Sequence, residues 1–347
     1  MPRVFVSDFI PGDILEPLEA HAEVEVWSLP SGGLQLDPQV SRRVPREKLL
    51  ESLRDCDGWL SMLSDTIDVA LLESAPRLRV ISQMSVGVDN IDVDACRGRG
   101  VSIGHTPDVL TDTTADTAFA LIGAAVRRLP EGEAIVKSGA WGPWDPWHFH
   151  SRDLHGATIG IVGMGRIGQA IARRARGFDM RVLYTARTTK DVPGATPLDL
   201  AGLLERADIV VIAVPLADET RGMIGRAELG MMKETAILVN IARGPIVDTD
   251  ALVEALANGV IGGVALDVTD PEPLPPDHPL LQFPNCLVVP HIGSATIPAR
   301  RAMASLAVAN LVAYLRGEPM PAWFPGSAEQ PLGDYSASGS PSESSDS

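Results

Sequence analysis

The chain of 347 residues is too long for one ordinary domain and long enough for two. Apolar residues make up 45% of it, which is enough for sizeable cores, and its formal net charge is −16 without any basic block. This composition excludes the electrostatic footprint of a nucleic-acid-binding protein or of a protein that binds anionic membranes.

The first residues and the cysteines indicate a cytoplasmic protein. Residues 1–8 lack the long apolar run of a signal peptide, and no later run approaches membrane-spanning length. Cys56, Cys96 and Cys286 are odd in number and widely spaced, so the sequence predicts neither a disulfide framework nor a metal site. We expect three reduced, mostly buried thiols.

Short apolar runs of strand length alternate with helical stretches, a pattern typical of parallel sheets built from βαβ units. The first third contains five predicted strands: Val4–Ser7, Val24–Ser28, Gly58–Met62, Leu78–Ser82 and Val101–Gly104. The second block contains six more: Thr158–Gly163, Arg181–Thr185, Ile209–Val214, Ala236–Ile241, Gly263–Asp267 and Leu287–Pro290. Their continuous apolar character is expected of strands that are buried on both faces.

Two long helices are predicted around the second block. One begins near Asp112, where Thr and Asp can cap it, and continues to Leu129, and the other runs from Pro298 to Leu315. The simplest architecture is an α/β protein whose first domain, residues 1–110 and 296–325, is interrupted by a second domain, residues 111–295. Residues 326–347 are almost devoid of apolar side chains and are predicted to form a disordered tail.

The strongest motif of the chain lies in residues 158–172, where a predicted strand is followed by Gly-x-Gly-x-x-Gly and an amphipathic helix. Gly163 permits the tight turn, Gly165 lets a pyrophosphate approach the backbone, and Gly168 lets the helix pack against the strand. The motif alone is weak, but the strand before it and the helix after it favour a dinucleotide site over a glycine-rich turn without a ligand.

The turn after the next strand bears on which dinucleotide binds. Sites that prefer NAD usually carry Asp or Glu about 20 residues after the glycines, to bond the ribose 2′-hydroxyl. No carboxylate occurs in residues 185–190, whereas Arg187 with Thr188 or Thr189 could hold a 2′-phosphate. The sequence therefore predicts NADP(H) in preference to NAD(H), with a solvated surface arginine as the alternative reading of Arg187.

Three further segments place polar residues just after predicted buried strands: Arg243, then Asp267 with Glu272, then His291. Ligands of open parallel sheets bind at the carboxyl ends of the strands, so these residues should share one cleft. Arg243 suits bidentate binding of a carboxylate, and His291 suits proton transfer near neutral pH. Glu272 is the candidate carboxylate beside His291. Each residue alone could be structural, but together they fit hydride reduction of a 2-keto acid.

The same segments carry a family resemblance. Ala242-Arg243-Gly244, the run Ala-x-Asp-Val-x-x-Pro-Glu-Pro-Leu at 265–274, and Pro-His-Ile-Gly-Ser-Ala-Thr at 290–296 resemble the D-isomer-specific 2-hydroxyacid dehydrogenase family. The resemblance extends from about Val80 to Pro321. Residues 106–114, 267–275 and 316–321 are most similar to the animal-type glyoxylate/hydroxypyruvate reductases.

The resemblance implies a Rossmann cofactor domain inserted into a flavodoxin-like substrate domain, a homodimer, and NADPH-dependent reduction of hydroxypyruvate to D-glycerate and of glyoxylate to glycolate. It supports Arg243, Glu272 and His291 as catalytic residues. It implies that the Val86 and Gly87 amides hold the substrate carboxylate with Arg243. Further expected contacts are Ser294 for the substrate, Asp267 and the Ile241 carbonyl for the nicotinamide, and Arg166, Ile167, Pro215 and Gly293 for the cofactor.

Three of the six tryptophans, Trp141, Trp144 and Trp147, fall within seven residues. On its own the cluster indicates a dimer contact, because aromatic side chains are enriched at interfaces. The family resemblance implies more, namely that Trp144 reaches into the partner's active site and favours short substrates. Packing in the dimer contact alone stays open as the alternative.

Two other functions fit the same motifs. C-terminal-binding-protein corepressors resemble this family and use a nicotinamide-bound dimer as a protein scaffold, which the polar tail would favour. Such a sensor should prefer NAD(H), for which the acidic residue is missing here. The other alternative is a further D-2-hydroxyacid dehydrogenase, NAD-linked and specific for D-lactate or D-glycerate, with a wider pocket.

Overall fold

The computed structural model describes residues 1–27 and 43–330. The chain forms two compact units, Met1–Pro107 with Arg301–Ser347 and Asp108–Arg300. Each unit contains a parallel sheet with flanking helices, which confirms the predicted α/β fold class. Ser28, the last residue of a predicted strand, and residues 331–347 of the predicted tail lie outside the described residues.

The first unit is built on a parallel sheet. Its strands are β1 (Arg3–Val6), β2 (Glu23–Val26), β3 (Gly58–Ser61), β4 (Val80–Gln83) and β5 (Ser102–Gly104), and its helices before the second unit are α1 (Gly12–Glu19), α2 (Arg46–Ser52), α3 (Val69–Ser74) and α4 (Val93–Gly98). Within the described residues the strand order is β2-β1-β3-β4-β5. This is the order of flavodoxin-like sheets.

Alternate residues of the central strands enter two different cores. On one face Phe5, Trp59 and Ile81 pack together, while Val4 and Val80 pack on the other face, beside residues 304–311 of the long C-terminal helix. Burial on both faces explains why these strands read as continuous apolar runs.

Residues 326–330, which composition assigns to the predicted tail, lie along β5. Ile103 N donates to Ser327 Oγ at 3.1 Å, and Ser102 Oγ donates to the Ala328 carbonyl at 3.2 Å. Arg97 Nε donates to the Gly326 carbonyl at 2.5 Å. The prediction of disorder is therefore wrong for these five residues, because hydrogen bonds to β5 and to Arg97 hold them in place despite their polar composition.

The second unit carries the larger parallel sheet. Its strands are β6 (Thr158–Val162), β7 (Arg181–Thr185), β8 (Ala195–Pro197), β9 (Ile209–Ile212), β10 (Ile237–Asn240), β11 (Gly263–Leu266) and β12 (Cys286–Val288). The remaining α-helices of the described residues are α5 (Thr111–Val126), α6 (Leu129–Lys137), α7 (Arg166–Arg176), α8 (Leu200–Arg206), α9 (Arg226–Met231), α10 (Thr249–Ala257) and α11 (Ile297–Leu315).

The strand order of this sheet, over the residues described, is β12-β11-β10-β9-β6-β7-β8. Strand β6 has β7 on one side and β9 on the other, so the chain reverses its direction of progress across the sheet at this strand. Such a switch point leaves a crevice at the carboxyl end of the strands, where ligands of doubly wound sheets bind. The glycine-rich segment follows β6 and therefore lies at this crevice.

The predicted strands are confirmed, with end points that differ by at most two residues. The structure adds β8, a three-residue edge strand that ends in Pro197 and carries no apolar run. The predicted helix from Asp112 to Leu129 ends instead at Val126, because Arg128 adopts a left-handed backbone with φ +53° and a new helix starts at Leu129.

The three cysteines are reduced in the structure. Cys56 and Cys96 are buried, Cys286 is half-buried, and all three are free thiols. Burial raises the pKa of Cys56 to about 11 and that of Cys96 to about 12, which keeps both protonated at neutral pH. No helix in the described part of the chain is long and apolar enough to cross a membrane.

Candidate active site

The three glycines of the loop after β6 differ in the space around them. Gly163 has φ +105°, and a Cβ there would lie 2.5 Å from the Ala213 carbonyl oxygen. A Cβ on Gly168 would lie 2.1 Å from the Gly163 carbonyl oxygen, whereas at Gly165 it would meet no described atom within 4 Å. Two glycines are thus required by packing, and the third leaves open space beside the backbone.

That open space adjoins the N-terminus of α7. The helix begins at Arg166, and no side chain among the described residues caps its first turn. The first amides of a helix have no intrahelical acceptor and carry partial positive charge. An uncapped helix start with an empty glycine position beside it fits the pyrophosphate of a dinucleotide. Arg166 Nε pairs with Asp108 Oδ1 at 2.5 Å, and Ile167 follows it in the same turn.

The turn after β7 would hold the adenosine ribose. Arg187 and Thr188 are exposed, and Tyr184 shapes the turn because its hydroxyl donates to the Lys190 carbonyl at 2.7 Å and accepts from Lys190 N at 3.0 Å. Across the switch point, Thr220 Oγ1 donates to the Pro215 carbonyl at 2.7 Å.

Arg243 follows β10 in a turn that Asn240 organises. Asn240 is fully buried, its Nδ2 donates to the Arg243 carbonyl at 2.8 Å, and its Oδ1 accepts from Ala242 N at 3.0 Å. The Arg243 Nη1 donates to the Ala242 carbonyl at 2.8 Å. Ile241, also in this turn, is 7% exposed. Sequence reasoning missed Asn240, although an amide residue that ends an apolar run, just before the arginine, is a signal that could have found it.

His291 and Glu272 form a hydrogen-bonded pair. His291 Nδ1 lies 2.6 Å from Glu272 Oε1, and the two residues follow the neighbouring strands β12 and β11. Burial acts to raise the pKa of Glu272, but the His291 hydrogen bond and charge, the Thr269 amide and the Arg243 charge together hold that pKa below its usual value. Glu272 is therefore ionised at neutral pH.

Asp267 binds the backbone just after His291. It is 2% exposed, and its two carboxylate oxygens accept from Ile292 N at 2.7 Å and from Gly293 N at 2.9 Å. His291 itself has φ +52°, a left-handed conformation that a non-glycine residue rarely adopts. The two hydrogen bonds on Asp267 hold the segment in that conformation.

Gly244 brings two of these segments together. A Cβ on Gly244 would lie 1.9 Å from the Thr269 carbonyl oxygen, so only glycine lets the turn after β10 approach the segment that carries Glu272. The close approach accounts for the effect of the Arg243 charge on Glu272.

The remaining predicted substrate-binding residues lie in several different segments. Val86, which is 37% exposed, and Gly87 follow β4 in the first unit. Ser294 is half-buried beyond His291, and Trp144 is 86% exposed in the second unit. The described part of the chain contains no group of three or more His, Cys, Asp or Glu side chains placed to hold a metal ion.

A glycine-rich loop at the switch point, with an arginine and a histidine–carboxylate pair at strand ends of the same sheet, is the arrangement expected of a nicotinamide-dependent oxidoreductase. The model of the D-isomer specific 2-hydroxyacid dehydrogenase, NAD binding domain, matches residues 119–293. A glyoxylate reductase from Pyrococcus furiosus is 48% identical over 328 residues, which cover 92% of this chain and 94% of that protein.

Two solved structures show the same similarity over the whole fold. The TT0316 protein from Thermus thermophilus is 46% identical with a TM-score of 0.85, covering 92% of this chain and 99% of that one. An NADPH-dependent glyoxylate/hydroxypyruvate reductase from Sinorhizobium meliloti, in complex with NADP and malonate, is 32% identical with a TM-score of 0.80, covering 95% and 98%. This chain belongs to the D-isomer-specific 2-hydroxyacid dehydrogenase family, which confirms the predicted family and enzyme class.

Proposed function

We propose that the enzyme reduces glyoxylate to glycolate and hydroxypyruvate to D-glycerate, with NADP(H) preferred over NAD(H). The observation that carries the proposal is the 2.6 Å His291–Glu272 pair in the sheet that also holds the glycine-rich loop. The relatives named as glyoxylate reductases support the substrate class. The absence of an acidic residue between Thr185 and Lys190 supports the cofactor preference.

Each catalytic side chain has one task in this proposal. Arg243 binds the substrate carboxylate through its planar guanidinium. The nicotinamide, when bound, supplies a hydride to the carbonyl carbon. His291 donates a proton from Nε2 to the carbonyl oxygen as that oxygen gains charge, which completes the 2-hydroxy acid.

Glu272 determines which nitrogen of His291 faces the substrate. A carboxylate can only accept, so its contact with Nδ1 places a proton on that nitrogen and leaves Nε2 for the substrate. The negative charge of Glu272 also stabilises the imidazolium before proton transfer.

The remaining contacts are proposals of the same kind. The Val86 and Gly87 amides bind the substrate carboxylate, and Ser294 borders the substrate. The Ile241 carbonyl, Asp267 and Gly293 lie on the nicotinamide side, with Asp267 acting chiefly by holding the Ile292 and Gly293 amides. The cofactor phosphates contact the first turn of α7.

The test of the catalytic assignment is His291→Ala. Loss of a general acid should lower kcat by ~10²–10⁴, while a fluorescence titration shows NADPH affinity unchanged. His155→Ala is the matched control, because His155 Nδ1 also pairs with a carboxylate, Asp179 Oδ2 at 3.4 Å, but on the exposed surface. If cofactor affinity collapsed together with activity, His291 would be a structural residue instead.

The test of the substrate assignment is a set of initial rates with glyoxylate, hydroxypyruvate, pyruvate and larger 2-keto acids, each with NADPH and NADH. We expect the highest kcat/KM for glyoxylate or hydroxypyruvate with NADPH. Higher kcat/KM for pyruvate with NADH would replace the proposal by an NAD-linked D-lactate dehydrogenase.

A further inference from the structure

The loop after β4 is held by a histidine that the mechanism above does not use. His105 follows β5, the neighbouring strand of the first unit, and its Nδ1 lies 3.0 Å from the Val86 carbonyl oxygen. A carbonyl oxygen only accepts hydrogen bonds, so Nδ1 carries the proton and donates it. His105 therefore binds the backbone of the loop that contains Val86 and Gly87.

This bond determines where the next amide points. The Val86 carbonyl and the Gly87 N–H belong to one planar peptide unit, in which C=O and N–H point in opposite directions. Fixing the Val86 oxygen on His105 therefore fixes the direction of the Gly87 N–H on the other side of the backbone.

The histidine ring is itself held in place. Its edge packs against Phe324, with the ring centroids 5.3 Å apart and the planes at 86°. Its backbone N donates to the Ala322 carbonyl at 3.0 Å, and its carbonyl accepts from Asn310 Nδ2 at 3.1 Å. A donor held at three points can impose its direction on the loop rather than follow it.

The loop carries two further bonds beside this one. Thr106 N donates to the Ser85 carbonyl at 2.8 Å, and Ser85 Oγ donates to the Gly87 carbonyl. Consecutive peptide units from residue 85 to residue 88 are therefore fixed, and His105 supplies a side-chain donor to them from outside the loop.

We infer that His105 is a positioning residue for the substrate: by holding the Val86 carbonyl it directs the Gly87 N–H to the carboxylate of the 2-keto acid. The inference rests on the proposed function, in which that amide binds the carboxylate. His105 acts through the backbone and does not touch the substrate.

Two substitutions separate the donor from the ring. His105→Phe keeps a ring beside Phe324 and removes the donor, whereas His105→Asn removes the ring and places an amide N–H where Nδ1 was. We expect His105→Phe to raise the KM for glyoxylate roughly three- to tenfold, the worth of one neutral hydrogen bond, with kcat and the KM for NADPH much less affected. His105→Asn should restore a KM near that of the unmodified enzyme.

The matched control is His21→Phe, because His21 Nδ1 also lies 2.9 Å from a backbone carbonyl, that of Pro17, in the same unit. It should leave every parameter unchanged. An unchanged KM in an active His105→Phe enzyme, or an equal rise in KM for the Phe and Asn variants, would overturn the inference and leave the proposed function standing. Absence of 2-keto acid reduction by the unmodified protein would overturn both.

Discussion

Arg187 stands exposed at the end of β7, in a turn whose other side chains are small or hydroxylated up to Lys190. We expect Arg187→Ala to weaken the binding of NADPH far more than that of NADH, because a charge-assisted phosphate contact is worth ~1.5–3 kcal/mol and NADH has no 2′-phosphate. KM values for the two cofactors would measure this. Arg181→Ala, at the opposite end of the same strand and also exposed, is the control. Equal changes for both cofactors would contradict the assignment of Arg187.

Asp65 is an unusual carboxylate, because it is 1% exposed in the loop after β3. Its Oδ2 accepts from Met62 N at 2.8 Å, and its Oδ1 is buried. Burial raises its pKa from 3.8 to about 6, despite the opposing effect of the Met62 amide. The folded protein therefore holds this proton more tightly than the unfolded chain does.

The sign of the resulting pH dependence follows from linkage. Between the unfolded value near 3.8 and the folded value of about 6, the folded state binds more protons, so the stability contributed by Asp65 falls as pH rises through this window. We expect Asp65→Asn, which keeps an acceptor for Met62 N, to be more stable than the unmodified protein above pH ~7 by up to about 3 kcal/mol. The difference should vanish near pH 4 in urea unfolding.

Asp68→Asn is the informative control. The Arg46 hydrogen bond lowers the pKa of Asp68, with the N–H of Leu71 acting in the same direction. A lowered folded pKa contributes stability that is present at neutral pH and lost as pH falls through it. The Asp68 variant should therefore be less stable than the unmodified protein at neutral pH and approach it in acid. The same pH trend in both variants would contradict the charge-burial explanation of Asp65.

At the scale of elements, the turn from β6 into α7 combines packing and binding in neighbouring glycines. Gly165→Ala should weaken dinucleotide binding without lowering the melting temperature, because the added Cβ would enter only the space expected to hold the pyrophosphate. Gly168→Ala should destabilise the fold by about 1–3 kcal/mol, because its Cβ would overlap the Gly163 carbonyl oxygen.

Thermal unfolding and a fluorescence titration with NADPH, applied to both variants, would measure the two effects. Gly230→Ala, an exposed helical position with no described atom within 4 Å of the added Cβ, should change neither property appreciably. If Gly165→Ala left the affinity for NADPH unchanged, the phosphates would have to bind elsewhere.

At the scale of the whole molecule, Trp141, Trp144 and Trp147 form an exposed aromatic cluster, with exposed fractions of 76%, 86% and 81%. Three solvated indoles within seven residues are costly for a protein that stays alone, and aromatic anchors of this kind are typical of interfaces. We propose that a second copy of the chain covers them. Sedimentation should then give twice the 36.9 kDa mass of the chain, and replacing all three by Ser should favour the monomer.

Trp144 carries a sharper expectation, that it closes the partner's pocket and excludes long substrates. Trp144→Ala should then shift relative kcat/KM toward longer 2-keto acids by about 1–3 kcal/mol. In a mixed dimer of a Trp144→Ala chain and a His291→Ala chain, the one live site is closed by the partner's intact tryptophan. That dimer should keep the selectivity of the unmodified enzyme, and altered selectivity would show that Trp144 acts within its own chain.

Much of this molecule is determined locally and could be predicted from sequence. Strands buried on both faces appear as apolar runs, Gly168 is needed for a close contact with Gly163 within one βαβ unit, and polar residues after strands lie at one edge of any parallel sheet. For that reason the family and the fold class were accessible without coordinates.

Other features depend on contacts between distant segments, which no local pattern records. The strand order brings His291 to Glu272, and buried Asp267 holds the backbone beyond His291. Residues 326–330 look disordered by composition, yet β5 supplies them with hydrogen bonds. His105 reads as an ordinary histidine until the neighbouring strand brings it to the Val86 carbonyl, because direction and partner are properties of the folded sheet alone.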